Sequence, residues 1–139
     1  MTELTEVLFS LKRSCKKISN LIRDANPLEM AKLSDEYNLS GDNAKQLDLM
    51  SNEILKIELS RCKHVRTIGS EEEKDFVKTQ HTNAPFMVCF DPLDGSSNIG
   101  VNITTGTIFA VYQYKNNKIF NGNDIVMAGY CLYGGSTQF

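Results

Sequence analysis

No apolar run in the sequence approaches the roughly 18 residues of a membrane-spanning helix, so no transmembrane segment is expected. The N-terminal stretch MTELTEVLFSLKR lacks the basic leader and small-residue cleavage site of a secretory signal, and its mixed charge argues against a transit peptide. A C-x-x-C pair is also missing. Cys15, Cys62, Cys89 and Cys131 stand far apart, which excludes zinc spacing and reads as reduced thiols of a cytosolic protein. Cys89 falls within an apolar strand pattern and is expected to be a buried structural thiol. The two histidines, His64 and His81, are isolated from each other and from every thiol, and are read as structural or surface groups. Nor is there a basic stripe with interleaved aromatics. The 15 Lys and Arg are dispersed among 17 Asp and Glu for a formal net charge of −2, so no nucleic-acid partner is expected. What remains is an ordinary globular composition, 41% hydrophobic over 139 residues, suited to one domain with a modest core.

Along the chain, helix patterns come first and strand patterns follow. Leu4, Val7, Leu8, Leu11, Cys15, Ile18, Leu21 and Ile22 recur at three- and four-residue intervals and predict an amphipathic helix. Thr2 or Thr5 would cap it, and Asn26-Pro27 would end it. A short helix is expected over about Leu28 to Tyr37. Ser40-Gly41-Asp42 then breaks the chain, with Asp42 as N-cap of a helix running to about Cys62. Its buried stripe would hold Leu47, Met50, Ile54 and Ile57, with Leu55 beside it. HVRTIG reads as a short strand, the polar stretch to Asn83 as a loop, and FMVCF as a strand buried on both faces. GTIFAVYQY alternates as a strand, KNNK is a turn or loop leading to IFNG, and AGYCLYGG is a last strand candidate. Helices before strands predict a layered α/β or α+β domain. With so little chain after the last strand, little room is expected for anything to cover that side of the sheet.

The chemistry concentrates in FDPLDGSSNIG, residues 90–100. The strand Phe86–Phe90 would deliver Asp91 at its C-terminal end, with Pro92 stopping the hydrogen-bond ladder. In the turn that follows, Asp91, Asp94 and the Leu93 carbonyl would supply hard oxygen ligands suited to Mg2+ or Mn2+. Gly95 lets the backbone approach a ligand, and the hydroxyls and N–H groups of Ser96 and Ser97 would form an anion cradle. Asp-Pro-x-Asp-Gly is equally good β-turn chemistry, and the spacing is not that of an EF-hand. Ser-Ser after the glycine tilts the reading towards a site. Glu71-Glu72-Glu73 follows a strand candidate and is a solvated acidic loop unless the two strand ends lie side by side. In that case Glu71 would bridge metals bound by Asp91 and Asp94, and Glu72 would face an attacking water. Asp48, on the second long helix, reads as an exposed polar position until a partner is found.

FDPLDGSSNI, with GTIFAVY after it, resembles the signature of the fructose-1,6-bisphosphatases. LDLMSNEI, SEEEK and AGYCLYGG match further blocks of that family in the same order, so the resemblance runs from TELT to the end of the chain. The wider magnesium-dependent, lithium-sensitive phosphatases, inositol phosphatases among them, share only a looser D-P-x-D-G-[ST] pattern. Asn98-Ile99 favours fructose bisphosphatase over sedoheptulose bisphosphatase. The resemblance to the class I enzymes implies a layered α/β sugar-phosphatase fold with N-terminal helices, about 3–62, packed on a mixed sheet, about 64–135. Residues 1–139 would be its N-terminal portion, with the C-terminal sugar-binding domain absent. It further implies a cytoplasmic, gluconeogenic enzyme, homotetrameric when full length. Its reaction would be hydrolysis of the 1-phosphate of fructose 1,6-bisphosphate to fructose 6-phosphate with two or more Mg2+ or Mn2+ per site. By the same resemblance Glu71, Asp91, Asp94 and the Leu93 carbonyl would bind metal. Glu72 and Asp48 would orient and deprotonate the attacking water, while Asp94, Gly95, Ser96 and Ser97 would hold the phosphate. Glu3, Leu4 and Thr5 would correspond to an allosteric AMP segment.

Three departures from the family pattern qualify those expectations. Gly100 replaces the usual aspartate after Asn-Ile and would loosen the phosphate loop. Pro85-Phe86 replaces a Lys-Tyr pair of the AMP site, so AMP inhibition is expected to be weak or absent. The chain is less than half the usual family length, so it would carry half an active site and turn over little alone. The rival readings are another sugar or inositol phosphatase of the superfamily, or a truncated, non-catalytic interaction module.

Overall fold

The computed structural model describes residues 2–24, 39–101, 103–116, 118 and 121–139. The first apolar periodicity forms helix α1, Glu3–Asp24. Thr2 caps it: its hydroxyl accepts from the Thr5 N–H at 3.2 Å, and its carbonyl accepts from Glu6 N–H at 3.2 Å. Thr5 therefore sits in the first turn. Val7, Leu11, Cys15 and Ile18 are buried as the spacing predicts. Ser10 and Ser14 share that face, and their hydroxyls donate back to the Glu6 and Ser10 carbonyls at 3.1 and 2.9 Å. The expected Asn26-Pro27 stop and the helix over Leu28–Tyr37 lie outside the described residues.

Helix α2 spans Leu39–Ser60, so Asp42 lies inside it and is not its N-cap. Its buried face also differs from the expected stripe. Leu47, Ser51, Leu55 and Leu59 are buried, whereas Met50 and Ile57 are 43% and 47% exposed. Apolar residues occur nearly all round this helix, so their spacing alone could not choose the inward face. One polar residue on the buried side, Glu58, has partners there. Glu58 is buried against α1, where Lys17 Nζ donates to its Oε1 at 2.6 Å and Arg13 Nε to its Oε2 at 3.2 Å.

Six strands form one mixed sheet: β1 Val65–Ser70, β2 Val77–Lys78, β3 Phe86–Asp94, β4 Thr105–Gln113, β5 Ile125–Tyr133 and β6 Thr137–Gln138. Their order is β2-β1-β3-β4-β5-β6, with β1 and β3 parallel and every other pair antiparallel. Strand β2 lies inside the stretch expected to be a loop, and β5 starts three residues before AGYCLYGG. Two-residue strands carry too little periodicity to be read from sequence. In KNNK, Asn116 takes φ 51° and a bridge pairs Lys115 with Lys118, while Asn117 lies outside the described residues.

The core lies between the helices and one face of the sheet, where Ile68, Val88, Phe90, Phe109, Val111, Cys131 and Tyr133 meet Leu11, Ile18, Leu55 and Leu59. On the opposite face Ile108, Val126, Tyr130 and Leu132 stay between 36% and 61% exposed. Cys89 points to this second face and is half-buried, not fully enclosed as its apolar run suggested. Among the described residues, helices cover the sheet on one side only. No described helix is long and apolar enough to cross a membrane.

Candidate active site

Parallel pairing of β1 with β3 puts Ser70 beside Phe90, and the Glu71 N–H continues the ladder to the Phe90 carbonyl at 3.1 Å. The two C-terminal strand ends therefore lie side by side, the condition under which the acidic run gains meaning. Glu71 and Asp91 line the same open cleft of about 690 Å³ on the uncovered side of the sheet. Small residues make its floor, because Gly69, Cys89, Ala110 and Ala128 stand in one row across four strands. A Cβ at Gly69 would come within 2.8 Å of the Phe76 ring.

Pro92 does not end the strand. Strand β3 continues to Asp94 through a bulge, since Asp91 pairs with Ile108 and Asp94 with Gly106. Two residues oppose one there, and proline loses nothing at a position that makes no ladder bond. Thr107 fixes the bulge by donating from its hydroxyl to the Pro92 carbonyl at 2.8 Å. Leu93, 1% exposed, anchors the segment in the core, and its N–H donates to Asp91 Oδ1 at 3.1 Å. Gly95 then takes φ 75°, a left-handed conformation that favours glycine. Its carbonyl accepts from Asn98 N–H at 2.8 Å, opening a 3-10 helix over Ser96–Val101 that includes Gly100. That short helix packs on α2.

The structure gathers five carboxylates at this edge. Burial pushes the Asp91 carboxyl up to about 6; the Leu93 N–H opposes this, and the charges of Glu71, Asp94 and Asp48 add to it. Desolvation, then the charges of Asp48 and Glu71, raises Glu72 above its ordinary range, with Lys45 opposing. Asp48 from α2 thus belongs with the two strand ends. Oxygen donors held beside one another at such electrostatic cost fit a hard divalent cation. Among the described residues, however, no three His, Cys, Asp or Glu stand close enough to hold an ion as the side chains are placed. The donor chemistry fits, and the cage is not closed.

Sequence reasoning missed the support beneath this edge. Lys56 Nζ donates to Glu73 Oε1 at 2.6 Å and to Glu53 Oε1 at 2.6 Å, and Asn52 Nδ2 donates to Glu73 Oε1 at 2.9 Å. The four-residue step from Asp48 to Asn52 to Lys56 was the available signal.

The proposed AMP segment is a separate region. Glu3, Leu4 and Thr5 form the first turn of α1, where Glu3 Oε1 and Glu6 Oε2 lie 3.4 and 3.2 Å from the two ring nitrogens of His64. Pro85-Phe86 is brought next to it, with the Phe86 N–H donating to the His64 carbonyl at 3.2 Å.

The full chain, residues 1–139, matches the family model described as the fructose-1,6-bisphosphatase N-terminal domain. The chain belongs to the fructose-1,6-bisphosphatase family. It is 38% identical to the class 1 fructose-1,6-bisphosphatase of Saccharophagus degradans over 97% of its own length and 44% of the relative's. The mouse protein named fructose-1,6-bisphosphatase isozyme 2 is 38% identical over 97% of this chain and 42% of its own. The Leishmania major fructose-1,6-bisphosphatase crystal structure, in its holo form, superposes with a TM-score of 0.81 at 31% identity, covering 98% of this chain and 42% of that one. The sequence therefore spans less than half the length of these relatives. Its helices on a six-stranded mixed sheet are the family's fold.

Proposed function

We propose that this chain is the N-terminal part of a metal-dependent sugar bisphosphatase that hydrolyses the 1-phosphate of fructose 1,6-bisphosphate. The observation that supports it best is the parallel β1–β3 pairing, which places Glu71 beside Asp91 and within the electrostatic reach of Asp48, Glu72 and Asp94. Glu71, Asp91, Asp94 and the Leu93 carbonyl would hold two or more Mg2+ or Mn2+, which supply charge stabilisation of the phosphoryl oxygens and acidify water. Glu72 and Asp48 would orient that water and accept its proton, a task within reach of carboxylates once the water is acidified. Gly95, Ser96 and Ser97 hold the 1-phosphate with backbone N–H and hydroxyl donors, and Asp94 adjoins both metal and phosphate. The sugar and its second phosphate would be contacted by a C-terminal domain that residues 1–139 do not include.

By this reading the isolated chain binds Mn2+, binds it more tightly with inorganic phosphate, and turns over little or no fructose 1,6-bisphosphate. Calorimetric titration with the Asp91→Asn control tests the first two expectations, and a phosphate-release assay the third. Binding of neither ion would favour a non-catalytic module, a reading supported by the uncovered apolar sheet face. Assay of a longer chain across sugar and inositol phosphates separates the substrates. A nucleotide phosphate at the start of α1 would meet Glu3 and Glu6 and no lysine from Pro85-Phe86, so AMP inhibition is expected to be weak or absent. A cytoplasmic location and a homotetrameric full-length protein, bound to neither nucleic acid nor membrane, complete the proposal.

A further inference from the structure

Among the described residues, the turn that carries Glu71 and Glu72 makes few backbone bonds. The Glu71 N–H reaches Phe90 O at 3.1 Å, the Glu72 N–H reaches Ser70 Oγ at 3.2 Å, and the Glu73 N–H reaches Ser70 O at 3.2 Å. Both functional side chains project from the exposed part of this turn. A like-charged run at an exposed turn tends to splay, because each carboxylate repels the next. Here the third carboxylate is tied down. Glu73 Oε1 accepts from both Lys56 and Asn52 on α2, at 2.6 and 2.9 Å. Lys56 is 21% and Glu73 28% exposed at the side chain, so this pair is less screened than a fully solvated one. Asn52 is 2% exposed, and its Oδ1 has no hydrogen-bond partner among the described residues while its amide N–H serves Glu73. A half-satisfied buried amide is costly, and nothing else it bonds among the described residues offsets that cost. Asp48, Asn52 and Lys56 follow one another at four-residue steps, so the helix surface that presents Asp48 also grips the turn presenting Glu72.

We propose that Lys56 and Asn52 are positioning residues that, through Glu73, fix the Glu71–Glu72 turn against α2 in register with Asp48. Their role in metal and water binding rests on the functional reading given above; their role in ordering the turn does not.

Two readouts separate the two. Amide hydrogen exchange of the metal-free chain at Glu71, Glu72 and Glu73 should rise about tenfold in Lys56→Met and in Glu73→Gln. The double variant should be no worse than the weaker single, and Lys56→Arg should restore wild-type exchange. Mn2+ affinity by calorimetry should fall about tenfold in the same two variants and recover in Lys56→Arg, with the melting temperature of the chain little changed. Unaltered exchange in both single variants overturns the proposal, as does additive behaviour of the pair. If the wild-type chain binds no Mn2+, the metal reading fails while the exchange data still decide the clamp.

Discussion

At the residue scale, Asp91 shows how the site stores tension. Its carboxyl is pushed up to about 6, so in the metal-free fold it binds a proton that the unfolded chain has already released above its ordinary value of 3.8. The folded form therefore holds more protons between those values, and this group's contribution to stability decreases as pH rises through them. Urea melts of wild type and Asp91→Asn should show a steeper decline over that pH window in the former. Cation and proton compete for the same oxygens, so Mn2+ affinity should fall as pH is lowered below about 6. Gly95 gives a second prediction. At φ 75° an alanine would be strained by about 1 kcal/mol, and Gly95→Ala should lose that much stability in urea melts together with phosphate-enhanced Mn2+ binding. The sequence made Asp91, Asp94 and Gly95 legible because turn chemistry and ligand chemistry favour the same residue types. It could not show that Glu73 is the tethered member of its run, since three identical side chains differ only in what they face.

At the scale of elements, the α1–α2 contact depends on a buried acid. Glu58, 7% exposed at its side chain, is held below its ordinary range by Lys17 first and by Arg13, against the opposing effect of burial. A depressed carboxyl contributes stability above its unfolded value near 4.5 and loses it as pH falls through the lower folded value. Glu58→Gln should cost about 2 kcal/mol at neutral pH, less than a fully buried pair because Lys17 and Arg13 are more than half exposed. The difference from wild type should vanish towards pH 3, which chemical denaturation across pH would reveal. Helix α1 was readable because its apolar stripe was narrow and its opposite face basic. Helix α2 differs from its expected stripe at Met50 and Ile57 because apolar residues lie nearly all round it, and Glu58 and Asn52 found partners on other elements. Pro92 was misread for a related reason: a bulge has a place for a residue without an N–H, and a bulge is a property of two strands.

At the scale of the molecule, the described residues cover the sheet on one face and leave the other open. Ile108, Tyr130 and Leu132 form an exposed apolar surface continuous with the cleft that contains Glu71 and Asp91. The native chain should accordingly bind an apolar fluorescent dye at neutral pH. Ile108→Thr with Tyr130→Thr, both compatible with strands, should lower that signal with little change in melting temperature; an unchanged signal would place the dye elsewhere.

By itself the sequence determined the helix-then-strand order, the family blocks and the identity of nearly every candidate ligand, because those rest on residue type and local spacing. Tertiary structure alone decided that β1 and β3 run parallel and adjacent, that α2 turns Asp48 and Lys56 towards the acidic turn, and that the ladder passes through Pro92. Each of these depends on residues distant in sequence coming into contact. Pairing energy between such residues is fixed by packing and hydrogen bonding across elements, and no local pattern encodes it.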